Sequence, residues 1–150
     1  MRIAIGADHR GFQLKEFIKE QFSEITFNDV GAFDNERSDY PEFTLRVCVE
    51  LLQGSADLAI LICGTGVGMS IAANRFSGIY AGLAWNEEIA KLNKEHDNAN
   101  ILILPADFVT NENAIKIINS WLNAEFLGGR HKERLEMIDG PEIEKTSGCC

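Results

Sequence analysis

The chain has 150 residues, 45% hydrophobic and 25% charged, and its 14 Lys+Arg against 23 Asp+Glu leave a net charge of −9. Such a length buries roughly 68–70% of the unfolded surface, so a core needs no disulfide or metal staple, and the composition excludes disorder, collagen and coiled coil. The acidic balance argues against general nucleic-acid binding and leaves a small anion admissible where positive charge gathers locally.

The N-terminal segment has a short apolar stretch but no signal-peptide core or cleavage site, so the expected location is cytoplasmic. The longest apolar run, residues 58–63, has six residues, far short of the ~20 that cross a bilayer, and no membrane association is expected. Residues 3–5 read as a strand, followed by apolar residues at helical spacing (Phe12, Leu14, Phe17, Ile18, Phe22). Residues 25–31 read as a second strand stopped by Gly31, and Pro41 suits the first turn of a helix carrying Phe43, Val47, Val49 and Leu51. The uninterrupted run 58–62 is the pattern of a strand covered on both faces, and helical spacing resumes from Met69 to Asn74. Strands at 79–83 and 101–104, helices at 86–95 and 111–122, and a last helix starting near Arg130 continue the alternation.

Alternating strands and helices predict a three-layer α/β fold, a mostly parallel sheet of about five strands between helices, with ligands at the strands' carboxyl ends. One domain is expected over residues 1–144, with a frayed tail at 145–150 containing Cys149 and Cys150. With Cys48 and Cys63 in apolar segments, reduced cysteines are expected.

The carboxyl-end rule selects Asp8 and His9 after the first strand, residues 63–68 after the third, Trp85 and Asn86 after the fourth, and Asp107 after the fifth. Cys63 precedes a helix whose amides and dipole favour a thiolate and lower its pKa; it is a candidate base or nucleophile, while a buried apolar plug stays open because free cysteine is among the most buried residue types. Gly64, Gly66 and Gly68 bring bare N–H groups toward an oxyanion or phosphate, and Thr65 offers a hydroxyl that both gives and accepts a proton. The loop has neither a Walker lysine nor dinucleotide spacing, so no nucleotide cofactor is expected. His9, His96 and His131 lie in polar segments without zinc spacing, which favours acid–base or phosphate contacts over a metal. Residues 130–134 carry a local charge of +2, and Arg130 and Arg134 share one helical face, as a phosphate clamp requires; a solvated helix face is the alternative.

Taken together, Ala7-Asp8-His9-Arg10-Gly11, Asp39-Tyr40-Pro41, the Cys63-Gly64-Thr65-Gly66-Val67-Gly68 segment running on to Asn74, and Gly128-Gly129-Arg130-His131 resemble the ribose-5-phosphate isomerase B family, which includes galactose-6-phosphate isomerase subunits. The resemblance runs to about residue 138. It implies a Rossmann-like sheet, no metal or cofactor, a phosphorylated sugar substrate, and a homodimer or tetramer whose active sites are shared between subunits. It also implies Cys63 as the base moving a proton between C1 and C2 through a cis-enediolate, with Thr65 exchanging protons between the sugar oxygens and His96 opening the ring. Amides of the 64–68 loop would stabilise the oxyanion. Asp8 and Tyr40 would orient hydroxyls, Asp97 would contact substrate, and His9, Arg130 and Arg134 would hold the phosphate. Another branch of the family has glutamate where Met69 stands, which leaves the proton to Cys63.

Two departures stand out. The family commonly has arginine at position 107, where this chain has Asp107, implying weaker or rearranged phosphate binding. It also commonly reads His-Asn-Asp where this chain reads His96-Asp97-Asn98. Ribose 5-phosphate isomerisation is the expected activity; a hexose 6-phosphate substrate and a non-catalytic sugar-phosphate binding subunit are the alternatives.

Overall fold

A computed structural model describes residues 1–140; the expected tail at 145–150, with Cys149 and Cys150, lies outside the described residues. The elements run β1 (Arg2–Ala7), α1 (Phe12–Gln21), β2 (Thr26–Asp29), α2 (Tyr40–Leu52), β3 (Leu58–Cys63), α3 (Val67–Ala73), β4 (Ala81–Leu83), α4 (Glu87–Asp97), β5 (Ile101–Pro105), α5 (Asn111–Asn123) and α6 (Arg130–Ile138). The strands form one sheet in the order β2-β1-β3-β5-β4, every neighbouring pair parallel. The three-layer, Rossmann-like expectation is met.

Strand side chains alternate between two cores, which is why the central runs are uninterruptedly apolar. Ile3, Ile5, Ile60, Ile62, Leu102 and Leu104 pack with Leu14 and Ile18 of α1 and Ile117 and Trp121 of α5. Ala4, Ala59, Leu61, Ile101 and Ile103 face the other way, against Phe43, Val47 and Cys48 of α2 and Met69 and Ala73 of α3. No helix among the described residues is long and apolar enough to cross a membrane.

Two details differ from the sequence reading. In α2 the buried residues are Phe43, Thr44, Val47 and Cys48, while Val49 is exposed. At ~100° per residue, Val49 lies about 240° around the helix from Phe43, away from the sheet. Strand β4 begins two residues later than the expected 79: the Ile79 amide donates to Phe76 O and the Tyr80 amide to the Asn100 side chain, so the first two residues of the run lie outside the ladder.

Two consequences of the topology govern the site. The chain passes from β1 to β2 on one side and returns to β3 on the other, so the crevice for a ligand opens between the carboxyl ends of β1 and β3. The loop leaving β2 along this rim is anchored from below by Lys15. Its fully buried ammonium donates to Asp29 Oδ1 at 2.6 Å, Asp29 Oδ2 at 2.7 Å and Ala32 O at 2.6 Å.

Candidate active site

Cys63 ends β3 and is 5% exposed. The Gly66 amide donates to its sulfur at 3.2 Å, and the amides of Met69 and Thr65 also favour the thiolate. The expected lowering of its pKa is nevertheless overturned: burial pushes the thiol up, the negative field of Asp8 adds to this, and the amides offset only part of it. Cys63 is therefore held as a thiol beside amide donors that favour its ionised form. Cys48, with burial alone acting on it, is pushed up to about 11 and takes the role of core plug.

The glycine spacing has a geometric cause at each position. Gly66 has φ +78°, and a Cβ there would strike Leu83. A Cβ on Gly68 would lie 2.6 Å from the Tyr40 ring, so this glycine lets Tyr40, the first residue of α2, close over the loop. Thr65 is exposed, and its hydroxyl oxygen accepts from the Val67 amide at 3.3 Å, which leaves its proton available for donation.

Asp8 and His9 flank this loop from the end of β1. Asp8 is 6% exposed; its Oδ1 accepts from the Arg10 amide at 3.0 Å and the Gly11 amide at 3.1 Å, fixing the turn between β1 and α1. The His9 amide donates to Ser38 Oγ at 3.0 Å, and its Nδ1 lies 3.2 Å from Ser38 O. This ties the imidazole to the loop ahead of Tyr40. Asp8, His9, Tyr40, Cys63, Gly64, Thr65, Gly66 and Gly68 thus gather at one end of the sheet.

His96, Asp97, Arg130 and Arg134 do not join them. His96 and Asp97 end α4, and residues 98–100 lead directly into β5, so both lie at the amino end of the sheet. In register, Cys63 pairs with Pro105 and Ala59 with Ile101, so the two groups are separated by the length of β5, about 13 Å for the four rises of ~3.3 Å from Ile101 to Pro105. The His96 ring stacks on His131 of α6 with centroids 4.2 Å apart and planes at 8°. Arg130 and Arg134 are exposed on α6, in the predicted i, i+4 relation, and have no ion pair among the described residues. Asn98 has φ 47° at the end of α4, a left-handed cap that asparagine tolerates. A groove of about 780 Å³ at this end, lined by Asn93, Asp97, Leu135, Asp139 and the segment around Tyr80, contains none of the Cys63 group.

Sequence reasoning missed two residues. Ser38, which holds His9, carries no distinctive signal. Arg10 lies inside the Ala-Asp-His-Arg motif but received no role; its guanidinium covers Gly64 and forms an ion pair with Asp107, so the departure at 107 is locally neutralised.

A family model described as Ribose/Galactose Isomerase matches residues 3–138. The probable ribose-5-phosphate isomerase B of Mycoplasma genitalium is 44% identical over 140 residues, covering 91% of this chain and 92% of that protein. A crystal structure of a ribose 5-phosphate isomerase from Thermotoga maritima aligns with a TM-score of 0.90 at 44% identity, over 92% of this chain and 97% of that one. The Mycoplasma genitalium ribose-5-phosphate isomerase B solved with bound ribulose-5-phosphate gives 0.87 at 42% identity, over 92% and 93%. A Rossmann-like sheet carrying this carboxyl-end site is thus an enzyme of the isomerase class. The chain belongs to the ribose/galactose isomerase family.

Proposed function

We propose that the chain is a metal-independent aldose–ketose isomerase interconverting ribose 5-phosphate and ribulose 5-phosphate. The observation that carries this reading is the buried Cys63 sulfur at the switch-point crevice, ringed by amide donors and flanked by Asp8, His9 and Thr65. The relative solved with ribulose-5-phosphate supports the choice of sugar.

In the proposed reaction the Cys63 thiolate takes the C2 proton of the open-chain aldose as the carbonyl electrons move to O1. The resulting cis-enediolate is stabilised by amides of the 64–68 loop. Thr65 relays the proton between O2 and O1, and the Cys63 thiol returns its proton to C1, so the enzyme is restored and no electrons leave the sugar. Asp8 and Tyr40 orient hydroxyls and His9 holds the phosphate; Asp97, Arg130 and Arg134, which their own chain places at the far end of the sheet, join these groups from a second subunit, Asp97 on a hydroxyl and the arginines on the phosphate.

His96 opens the furanose from a second subunit, because its own chain holds it at the far end of the sheet. An apolar stripe supports such a dimer: Leu45, Val49 and Leu52 on α2 and Val67 and Ile71 on α3 are all exposed. The spacings i, i+4, i+7 and i, i+4 make each set one helix face, and α2 packs beside α3. A two-fold axis through this stripe that reverses the strand direction lays the amino end of one subunit beside the carboxyl end of the other.

The test is turnover on a panel of pentose and hexose phosphates with product identification, repeated with chelator present. Ribose 5-phosphate is the expected best substrate, and Cys63→Ala should lower turnover by about 10³-fold or more while still binding ribose 5-phosphate. Preference for a hexose 6-phosphate would move the assignment to that sugar. Near wild-type turnover by Cys63→Ala would remove it as the base.

A further inference from the structure

We propose that Arg10 is the cation that the Cys63-bearing subunit itself supplies to the substrate's phosphate, and that Asp107 holds its guanidinium ready over the glycine loop. The proposal rests on the reading above that the ligand is a sugar phosphate.

Position is the first argument. Arg10 follows β1 in the turn fixed by Asp8, and its side chain reaches across the β1–β3 crevice, where the topology opens the ligand site. The second argument is the glycine it covers. Gly64 has no positive φ that would demand glycine, yet an added Cβ would lie 2.5 Å from Arg10 Cζ, 2.6 Å from Nε and 2.7 Å from Nη1. Three guanidinium atoms at nearly equal distances mean that the group lies across this residue, and a side chain at Gly64 would displace it from there.

The third argument is the state of the guanidinium. Its one side-chain bond among the described residues runs from Nη2 to Asp107 Oδ2, and both side chains keep solvent access, 53% for Arg10 and 33% for Asp107. Asp107 is fixed in turn by its own amide, which donates to Gly64 O at 3.1 Å. A guanidinium has five N–H donors, so an arriving phosphate can take a bidentate pair without first breaking a buried bridge. Displacing Asp107 from a half-exposed ion pair is a small penalty. The carboxylate therefore positions Arg10 and also competes with the anion that Arg10 receives. These two roles separate the variants: loss of Arg10 weakens anion binding, whereas neutralising Asp107 strengthens it.

The experiment measures KM and kcat for ribose 5-phosphate, direct binding of inorganic phosphate by calorimetry, and Tm, in the wild-type chain and in Arg10→Met, Arg10→Lys, Asp107→Asn and Lys116→Met. Lys116 is an exposed residue of α5 and controls for net charge. Arg10→Met is expected to raise both KM and the phosphate Kd about tenfold with kcat changed less than about threefold; Arg10→Lys should fall between, and Asp107→Asn should tighten phosphate about two- to fivefold. Lys116→Met should match wild type. The proposal is overturned if Arg10→Met leaves KM and Kd unchanged, or if Arg10→Met and Asp107→Asn weaken phosphate binding equally with matching losses of Tm, the signature of a structural clip. A wild-type chain that binds phosphate through Arg10 but isomerises no sugar phosphate would support Arg10 and overturn the substrate assignment instead.

Discussion

Two inactive variants should restore each other. Cys63→Ala removes the proposed base at the carboxyl end of the sheet, and His96→Ala removes the proposed ring-opening acid at the amino end. The two positions lie at opposite ends of β5, whose four rises span about 13 Å, whereas a general acid or base must reach within ~3 Å of the atom it serves. One chain therefore cannot apply both to one pentose. In a dimer with sites shared between subunits, a heterodimer of the two variants carries one site with both groups intact and one with neither. Random exchange of equal amounts makes half of the dimers mixed, so about a quarter of the sites regain full function. The assay is ribulose 5-phosphate formation from ribose 5-phosphate after co-expression or subunit exchange, with heterodimer content read by native mass spectrometry. Cys63→Ala with Thr65→Ala is the matched control: both lie on one loop of one chain, every mixed site keeps one defect, and no recovery is expected. Recovery in the control, or none in the Cys63–His96 pair despite abundant heterodimer, would refute the separation of the two groups between subunits.

Because burial raises the Cys63 thiol, kcat/KM should climb with pH through and above the ordinary thiol range near 8.5, and Cys63→Ser should lose that limb; a profile flat above pH 7 would contradict a thiolate base. Lys15→Met should cost about 1–3 kcal/mol in urea unfolding, since it removes two of the hydrogen bonds to the Asp29 carboxylate, which keeps Lys19, and leaves Ala32 O without its donor. For Asp29, burial works upward, but the hydrogen bonds from Lys15 and Lys19 outweigh it and hold the carboxyl below its usual range. Its contribution is thus present above the unfolded-state value near 3.9 and lost as pH falls through the lower folded value, and in Lys15→Met this acid-side loss should begin at a higher pH.

The central strands were readable because burial on both faces leaves residues 58–62 and 101–104 with no polar position, and Pro41 marks the start of α2 by its fixed φ. The face of α2 was not. Val49 and Cys48 are both apolar, and only the helix phase set by packing on Ala4 and Leu61 decides between them. Cys63 shows a similar limit: the amides that favour its thiolate follow from its place before a helix, but their contest with desolvation turns on an exposure of 5%, which the sequence does not contain. Arg10 was hidden for another reason. A long side chain after a strand has many rotamers, and its resting place over Gly64 exists only once β1, β3 and the loop after β5 are side by side.

The placement of His96 and Cys63 at opposite ends of the sheet was, by contrast, implicit in element order: a residue closing the helix before a parallel strand must lie at that strand's amino end, so His96 opposes Cys63 by topology alone. The same end gathers the cations of α6, and there the electrostatics support one another. Desolvation, followed by the positive fields of His96, Arg130 and Arg134, lowers the His131 pKa, against a weaker opposing effect of Asp97. His131 is therefore neutral near pH 7, and a neutral ring stacks on His96 without like-charge repulsion. The arginines proposed to grip a phosphate thus help keep uncharged the contact that docks their own helix against α4. A dianionic ligand bound by Arg130 and Arg134 would reduce that field and raise the His131 pKa, so ligand binding and protonation of this stack are linked, with uptake of protons on binding at pH values just above the His131 pKa.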